Sequence, residues 1–275
     1  MENQRREFLK NITLGGFGTA IAPDDLFSGK KIEKQKVQPY TSYDKDQDRE
    51  FNGSYEGAYL NRIAFPIGGI GTGMFCIEGT GAISHMSIRH RPEIFHEPGM
   101  FAAITIKGEQ TKAKVLEGAV PEWKLFGQKG TGNGAAGTTF GLPRFKSASF
   151  KTRFPFADIN LDDPKFPIKA KITAWSPFIP TDQDNSSLPV GAIEYTLTNT
   201  SSSSVDAVFS FNTKNFLAEE NQPNTIKGIK NGFALYQAAT TEKPHLQAEM
   251  AYYTDDPATK VDHCWFRGGW WDPLT

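Results

Sequence analysis

Three stretches of the sequence gather residue types that could do chemistry. The first, Phe65-Pro66-Ile67-Gly68-Gly69-Ile70-Gly71-Thr72-Gly73-Met74, is dense in glycine. Glycine loops cradle phosphates when they open a helix in GxGxxG spacing or are followed by Lys-Ser or Lys-Thr. Neither condition is met, and Met74-Phe75-Cys76-Ile77 reads as a strand, so nucleotide binding is disfavoured. The glycines instead predict positive φ or close approach of another segment, which is a tight packing turn. The second stretch, Arg89-His90-Arg91-Pro92-Glu93-Ile94-Phe95-His96-Glu97-Pro98, holds two histidines and two glutamates. Its prolines break any helix that would align those groups as metal ligands, so a polar loop at the rim of a cleft is expected, with no metal. The third, Cys264-Trp265-Phe266-Arg267-Gly268-Gly269-Trp270-Trp271-Asp272, has three tryptophans. It could stack on sugar rings, meet a neighbouring domain or fill the core.

Paired carboxylates would be needed for glycoside hydrolysis, about 5 to 9 Å apart across the scissile bond. The Asp162-Asp163, Asp182/Asp184 and Asp255-Asp256 groups sit among Pro and Asn and read as turn residues first. No CxxC and no zinc-ligand spacing occurs, and no cofactor is expected. Cys76 and Cys264 are the only cysteines. Two are too few for a disulfide framework, and both a bridge and a buried free thiol remain open from spacing alone.

The elements that must position these groups are strands. Ile168, Ala170, Ile172 and Ala174 alternate with Lys169, Lys171 and Thr173, and Ile193, Tyr195 and Leu197 alternate with Glu194, Thr196 and Thr198. Period two buries one face of a strand and wets the other. Val205, Ala207, Phe209 and Phe211 are placed inward in the same way, and the short Ser201 to Ser204 connection predicts an antiparallel hairpin with the preceding strand. Further strands are expected over Ala102 to Lys107 and Leu246 to Tyr253. No helical apolar spacing is sustained over three turns, which disfavours bundles and βαβ folds. The fold class expected is all-β, a large antiparallel β-sandwich of two packed sheets with few short helices. Gly127 to Gly141 has six glycines and reads as a long surface loop.

The chain has 275 residues and a formal net charge of -1, with 38% hydrophobic, 22% charged and 12% aromatic residues. That composition describes an aromatic-rich globular fold, and the near-neutral charge removes the electrostatic basis for nucleic-acid or membrane-surface binding. A neutral ligand fits better. Residues 1–22 read as a twin-arginine-type export signal: Arg5-Arg6-Glu7-Phe8-Leu9-Lys10, a Gly-rich apolar run, then Ala20-Ile21-Ala22. An exported, periplasmic or extracellular protein is expected. The apolar run is about 12 residues, short of the ~20 that span a bilayer, so no membrane span is expected. Residues 23–54 are a polar linker, and residues 55–275 form the folded domain.

Several of these landmarks together resemble the amino-terminal domain of glycoside hydrolase family 116, which includes bile-acid β-glucosidase, the non-lysosomal glucosylceramidase. The matching pieces are Phe65 to Gly73, Ala174-Trp175-Ser176-Pro177-Phe178-Ile179-Pro180, Asp184-Asn185-Ser186-Ser187-Leu188-Pro189, Tyr195-Thr196-Leu197-Thr198-Asn199 and Phe266-Arg267-Gly268-Gly269-Trp270-Trp271-Asp272. The resemblance spans about Tyr55 to Thr275. It implies a β-sandwich packed on an (α/α)6 barrel that carries a glutamate nucleophile and an aspartate acid/base. Neither matches a position here, so the resemblance implies a non-catalytic domain of a retaining β-glycosidase, whose carboxy-terminal catalytic domain is its partner and a neutral glycoside its substrate. The end at Pro273-Leu274-Thr275, without a polar tail or capping element, leads to the expectation of a domain incomplete at its carboxy end. No residue is expected to be catalytic. Gly69, Gly71, Thr72, His90, Arg91, Trp270 and Trp271 are the cleft or domain-interface candidates. The competing readings are a free-standing carbohydrate-binding sandwich that stacks tryptophans on sugars, and a degenerate chain prone to aggregate.

Overall fold

The computed structural model describes residues 50–94, 96–126, 139–219 and 224–263. The stretch read as an export signal, most of the stretch read as a linker, most of the glycine-rich 127–141 stretch, Cys264, Trp270 and Trp271 therefore lie outside the described residues.

The described chain is all-β, as its alternating patterns predict. The strands are β1 (Tyr55–Glu56), β2 (Ala64–Ile67), β3 (Met74–Glu78), β4 (Ile83–Ser87), β5 (Phe101–Ile106), β6 (Lys112–Val115), β7 (Ser147–Arg153), β8 (Phe156–Asp162), β9 (Ile168–Trp175), β10 (Ala192–Asn199), β11 (Ala207–Asn212), β12 (Asn224–Ile229), β13 (Gly232–Gln237) and β14 (Ala248–Tyr253). Two short helices, α1 (Glu122–Phe126) and α2 (Gln183–Ser186), and two 3₁₀ turns interrupt them. Every strand pairing is antiparallel. One layer is a five-stranded sheet in the order β1-β7-β8-β9-β10. The facing layer is divided between the three-stranded sheets β2-β3-β4 and β11-β5-β6, and β12-β13-β14 forms a further three-stranded sheet.

The core lies where these layers meet. Ile168, Ala170, Ile172 and Ala174 of β9 are all buried, as are Ala157, Ile159 and Leu161 of β8 and Phe150 of β7. They pack against Ile67, Ile77, Ala102, Ile104 and Phe145 from across the sandwich. Burying an isoleucine side chain in this way contributes roughly 1.5 to 3 kcal/mol. The intervening β9 residues face water, where Lys169 and Lys171 reach Asp162 and Asp158 at 2.8 and 3.0 Å. A second, smaller cluster of Ile83, Met86 and Met100 joins β4 and β5 to Met250 and Tyr252 of β14.

One expected connection is different. β10 and β11 do not form a hairpin: all eight β10 residues pair with β9, while β11 pairs with β5 in the opposite layer. The connection is an arch between sheets. Asn199 shapes it, its side-chain oxygen accepting the Ser201 N–H at 2.9 Å and its amide donating to the Ser203 carbonyl at 2.7 Å. The Thr200 N–H is meanwhile captured by the Pro167 carbonyl. Period two fixes which side chains share a face but not which strand sits alongside, and two short amphipathic strands cover a core equally well from opposite sides. Tyr195 and Phe209 accordingly meet across the arch with ring centroids 5.1 Å apart. Phe209, expected inward, remains exposed.

Candidate functional site

Gly68 to Gly73 connect β2 to β3. Gly71 and Gly73 have φ of +75° and +95°, values that a side chain resists, and this lets the chain reverse between two paired strands. Gly69 is required for a different reason. A Cβ there would stand 2.1 Å from the Leu188 carbonyl oxygen, well inside van der Waals contact. Backbone thus lies directly on backbone, and the neighbouring Ile70 N–H donates to the Ser186 carbonyl at 2.9 Å. Thr72 closes the turn on itself, its N–H and hydroxyl both donating to the Gly69 carbonyl.

The segment that receives this turn runs from β9 to β10. Ser176 accepts the Gly68 N–H at 3.0 Å. Ser186, also buried, accepts the Ile179 N–H and donates to the Ile179 carbonyl, pinning the loop before α2. Asp182 caps α2 by accepting the Asn185 N–H, and this bond holds its carboxyl below the ordinary range. The glycine run lies about a hundred residues before the neighbouring Ser176-Pro177-Phe178-Ile179 and Asp184 to Pro189 runs, yet the three form one clasp.

Beside the clasp is an open hollow of about 290 Å³, lined by Pro66, Ile67, the glycines of the turn, Met74, Phe154, Ser176 and Pro177. Among the described residues its only polar side chain is that of Ser176. No carboxylate is among its described lining residues, whereas the acid, base and nucleophile of glycoside hydrolysis are carboxyl groups. Ile70 and Phe154 at its rim are 58% and 60% exposed, and Phe178, Ile179, Leu188 and Val190 are exposed as well. Phe154 and Phe178 meet edge to face at 4.8 Å.

His90 and Arg91 belong to the loop that leaves β4. β3 and β4 are antiparallel, with Met74 opposite Ser87, so this loop emerges at the same end of the sheet as the glycine turn. A Cβ on Gly73 would lie 2.9 Å from the Ser87 carbonyl. Neither His90 nor Arg91 lines the hollow, and both are exposed. Arg89 and His90 hold positive φ. Arg89 turns inward to donate to the Leu217 carbonyl at 3.0 Å. Glu93 gathers Arg91 and His96, each at 2.9 Å. Of the sequence candidates, Gly69, Gly71 and Thr72 form the clasp, His90 and Arg91 stand on the neighbouring loop, and Trp270 and Trp271 lie outside the described residues.

Two buried ionic groups were not legible in the sequence. Lys124 of α1 donates to both oxygens of Glu78 on β3, at 2.8 and 2.7 Å, and also reaches Glu97. Burial alone would lower the lysine's pKa, but Glu78 and Glu97 carry it above the ordinary value. Arg144 pairs with Glu117 at 3.1 Å and donates to the carbonyls of Thr139, Phe140 and Leu142. Burial pushes the Glu117 carboxyl up, with Arg144 opposing. Glu78 and Glu117 are enclosed and cation-paired, which suits a structural role and leaves no room for a sugar. Cys76 is buried on β3, and burial, with Glu78 nearby, raises its thiol to about 11, so it is a poor nucleophile. Among the described residues no group of three or more His, Cys, Asp or Glu side chains converges as a metal site would require. No described helix is long and apolar enough to cross a membrane.

A family model described as beta-glucosidase 2, glycosyl-hydrolase family 116 N-term, matches residues 64–267. No curated protein sequence matches the chain.

Proposed function

From its membership of the glycosyl-hydrolase family 116 amino-terminal domain family, we propose that this chain is the non-catalytic domain of an exported retaining β-glycosidase of the β-glucosidase and glucosylceramidase-like kind. In this reading the end of the sandwich that carries the glycine turn is presented to an (α/α)6 catalytic domain. Gly69, Gly71 and Thr72 set the shape of that surface, and His90 and Arg91 stand at its polar margin. Trp270 and Trp271 are further interface candidates. The substrate is a neutral glycoside bound by the catalytic domain.

The observation that carries the reading is the apolar surface around the hollow. Ile70, Phe154, Phe178, Ile179 and Leu188 are exposed on or beside the segments that most closely resemble the family. Exposed apolar groups held by a clasp of buried hydrogen bonds suit a fixed domain interface, with a polar loop at its rim. A catalytic role for the hollow is disfavoured because no carboxylate is among its described lining residues. Export is supported by the paired arginines and the Ala20-Ile21-Ala22 end of the apolar run.

Hydrolysis of a chromogenic β-D-glucoside tests the division of labour. The purified chain is expected to give no turnover above the buffer rate. A family 116 catalytic domain supplied in trans is expected to turn substrate over faster with the chain than without it. Turnover by the chain alone, abolished by replacing one of its carboxylates, would contradict the reading. Export is tested separately by fractionating cells that express the chain with Arg5 and Arg6 intact or both changed to lysine. Accumulation in the periplasm only with the arginines intact is expected, and equal cytoplasmic retention of both would oppose it.

A further inference from the structure

β10 is an edge strand whose outer side has no backbone partner among the described residues. It pairs with β9 along all eight residues without a register shift, so it is regular, and it contains neither Pro nor Lys. Several other sheet edges are blunted. β1 has two residues, β2 contains Pro66, β4 is broken by a bulge, and β6 carries Lys112 and Lys114. Edges are ordinarily disarmed by such features, because an open row of N–H and C=O groups recruits another strand. β11, at the edge of the opposite layer, and β14, at the edge of the fourth sheet, are unblunted in the same way, but of these only β10 and β11 border the main core. The core between these two edges is incomplete. The inward residues of β9 are fully buried, whereas Ile193, Tyr195 and Leu197 of β10 are only partly so, and Phe209 of β11 is 42% exposed.

The sequence of β10 fits its own copy. Residues directly opposite in an antiparallel pair share a face. An axis through Tyr195 therefore sets Ile193 against Leu197 and Tyr195 against Tyr195 on the inner face. On the outer face it sets Glu194 against Thr196 and Ala192 against Thr198. Apolar residues meet apolar ones, and Glu194, the only charge in the strand, faces a neutral hydroxyl. Phe209, which touches Tyr195, is brought toward the same axis.

We propose that β10 joins two copies of this chain across a two-fold axis at Tyr195, making a continuous sheet and closing the half-open core of each copy with the other. The proposal is independent of the glycosidase reading and would stand if that reading failed.

Sedimentation equilibrium of the full chain over a wide concentration range tests it, with two substitutions that read the register. Thr196→Glu places a glutamate opposite Glu194 of the other copy twice per dimer, and Thr196→Lys places a lysine there. At the energies usual for cross-strand charge pairs, the dimer dissociation constant should rise about fivefold with glutamate and fall about fivefold with lysine. Within one copy the signs are reversed, because Thr196 stands opposite Lys171. A change in folding stability therefore cannot imitate the result. The double variant Glu194→Cys with Thr196→Cys should form interchain disulfides on mild oxidation. A monomer at all concentrations overturns the proposal, and amide exchange at β10 then tells whether another part of the chain covers the edge. A dimer indifferent to both Thr196 substitutions overturns it equally.

Discussion

The glycine turn and the Arg89–Glu97 loop leave the same end of one sheet, yet they are held by opposite means. The turn is fixed by shape. Gly69 lies on the Leu188 backbone, Gly68 and Ile70 are bonded to Ser176 and the Ser186 carbonyl, and no charged side chain takes part. The loop is fixed by charge, with Arg91 and His96 on Glu93, Arg89 on Leu217, and Glu97 tied to Lys124. A shape-built surface keeps its form with changing pH and salt but tolerates no added atoms. A charge-built loop accepts substitution at its exposed positions and depends on its few buried pairs.

This contrast can be broken from the charged side most severely. Lys124→Met should destabilise the chain by about 3 to 5 kcal/mol in urea unfolding, because Glu78 would be left buried without its cation. On the turn side, Gly69→Ala should cost about 3 kcal/mol, since backbone and not a flexible side chain stands in the way of the methyl group. An Ala at Gly71, where nothing lies within 4 Å of the added Cβ, is strained only by its φ and should cost about 1 kcal/mol. Ser186→Ala strips the Ile179 N–H of its acceptor and should also cost about 1 kcal/mol. Arg91→Ala, at an exposed ion pair, should fall within about 0.5 kcal/mol of zero.

A pH titration sharpens the same contrast. The Lys124 pKa is raised in the folded chain, so its stabilising contribution is complete below the ordinary lysine value and is lost as pH rises through the folded value. Unfolding followed from neutral to strongly alkaline pH should show this loss in the wild type and in Gly69→Ala. It should be smaller in Lys124→Met, where only the remaining groups, among them Tyr195 and Tyr252 with hydroxyls that burial pushes up, still lose stability at alkaline pH.

Much of the scaffold was legible in the sequence because burial follows a period of two. Ile168 to Ala174 follows from that spacing, as does the strand expected over Leu246 to Tyr253, which begins at Ala248 after a 3₁₀ turn, whereas β3, with three consecutive buried residues, does not show it. The partner of each strand was not legible, since a hairpin and an arch have the same pattern, and only the Asn199 side-chain bonds and the pairing of β10 with β9 distinguish them. At the site, the glycines announced a close approach without naming Leu188 as the group approached. Ser176 and Ser186 stand in the runs that carry the family resemblance, but their role as acceptors was not legible, because a serine that satisfies a backbone N–H looks like any loop serine. The Glu78–Lys124 pair was hidden for a related reason: a lysine in a short helix reads as surface until the fold encloses it.

The docking role proposed for the turn is tested most directly by calorimetric titration of the 275-residue chain with a family 116 (α/α)6 catalytic domain, comparing the wild type with Ile70→Asp and Phe154→Asp. Both side chains are exposed at the rim of the hollow, so the variants should fold as the wild type does. Saturable binding by the wild type, lost in both variants and retained in Arg91→Ala, is the predicted result. Binding of equal strength by the wild type and the two aspartate variants would contradict the assignment of this face to the catalytic domain.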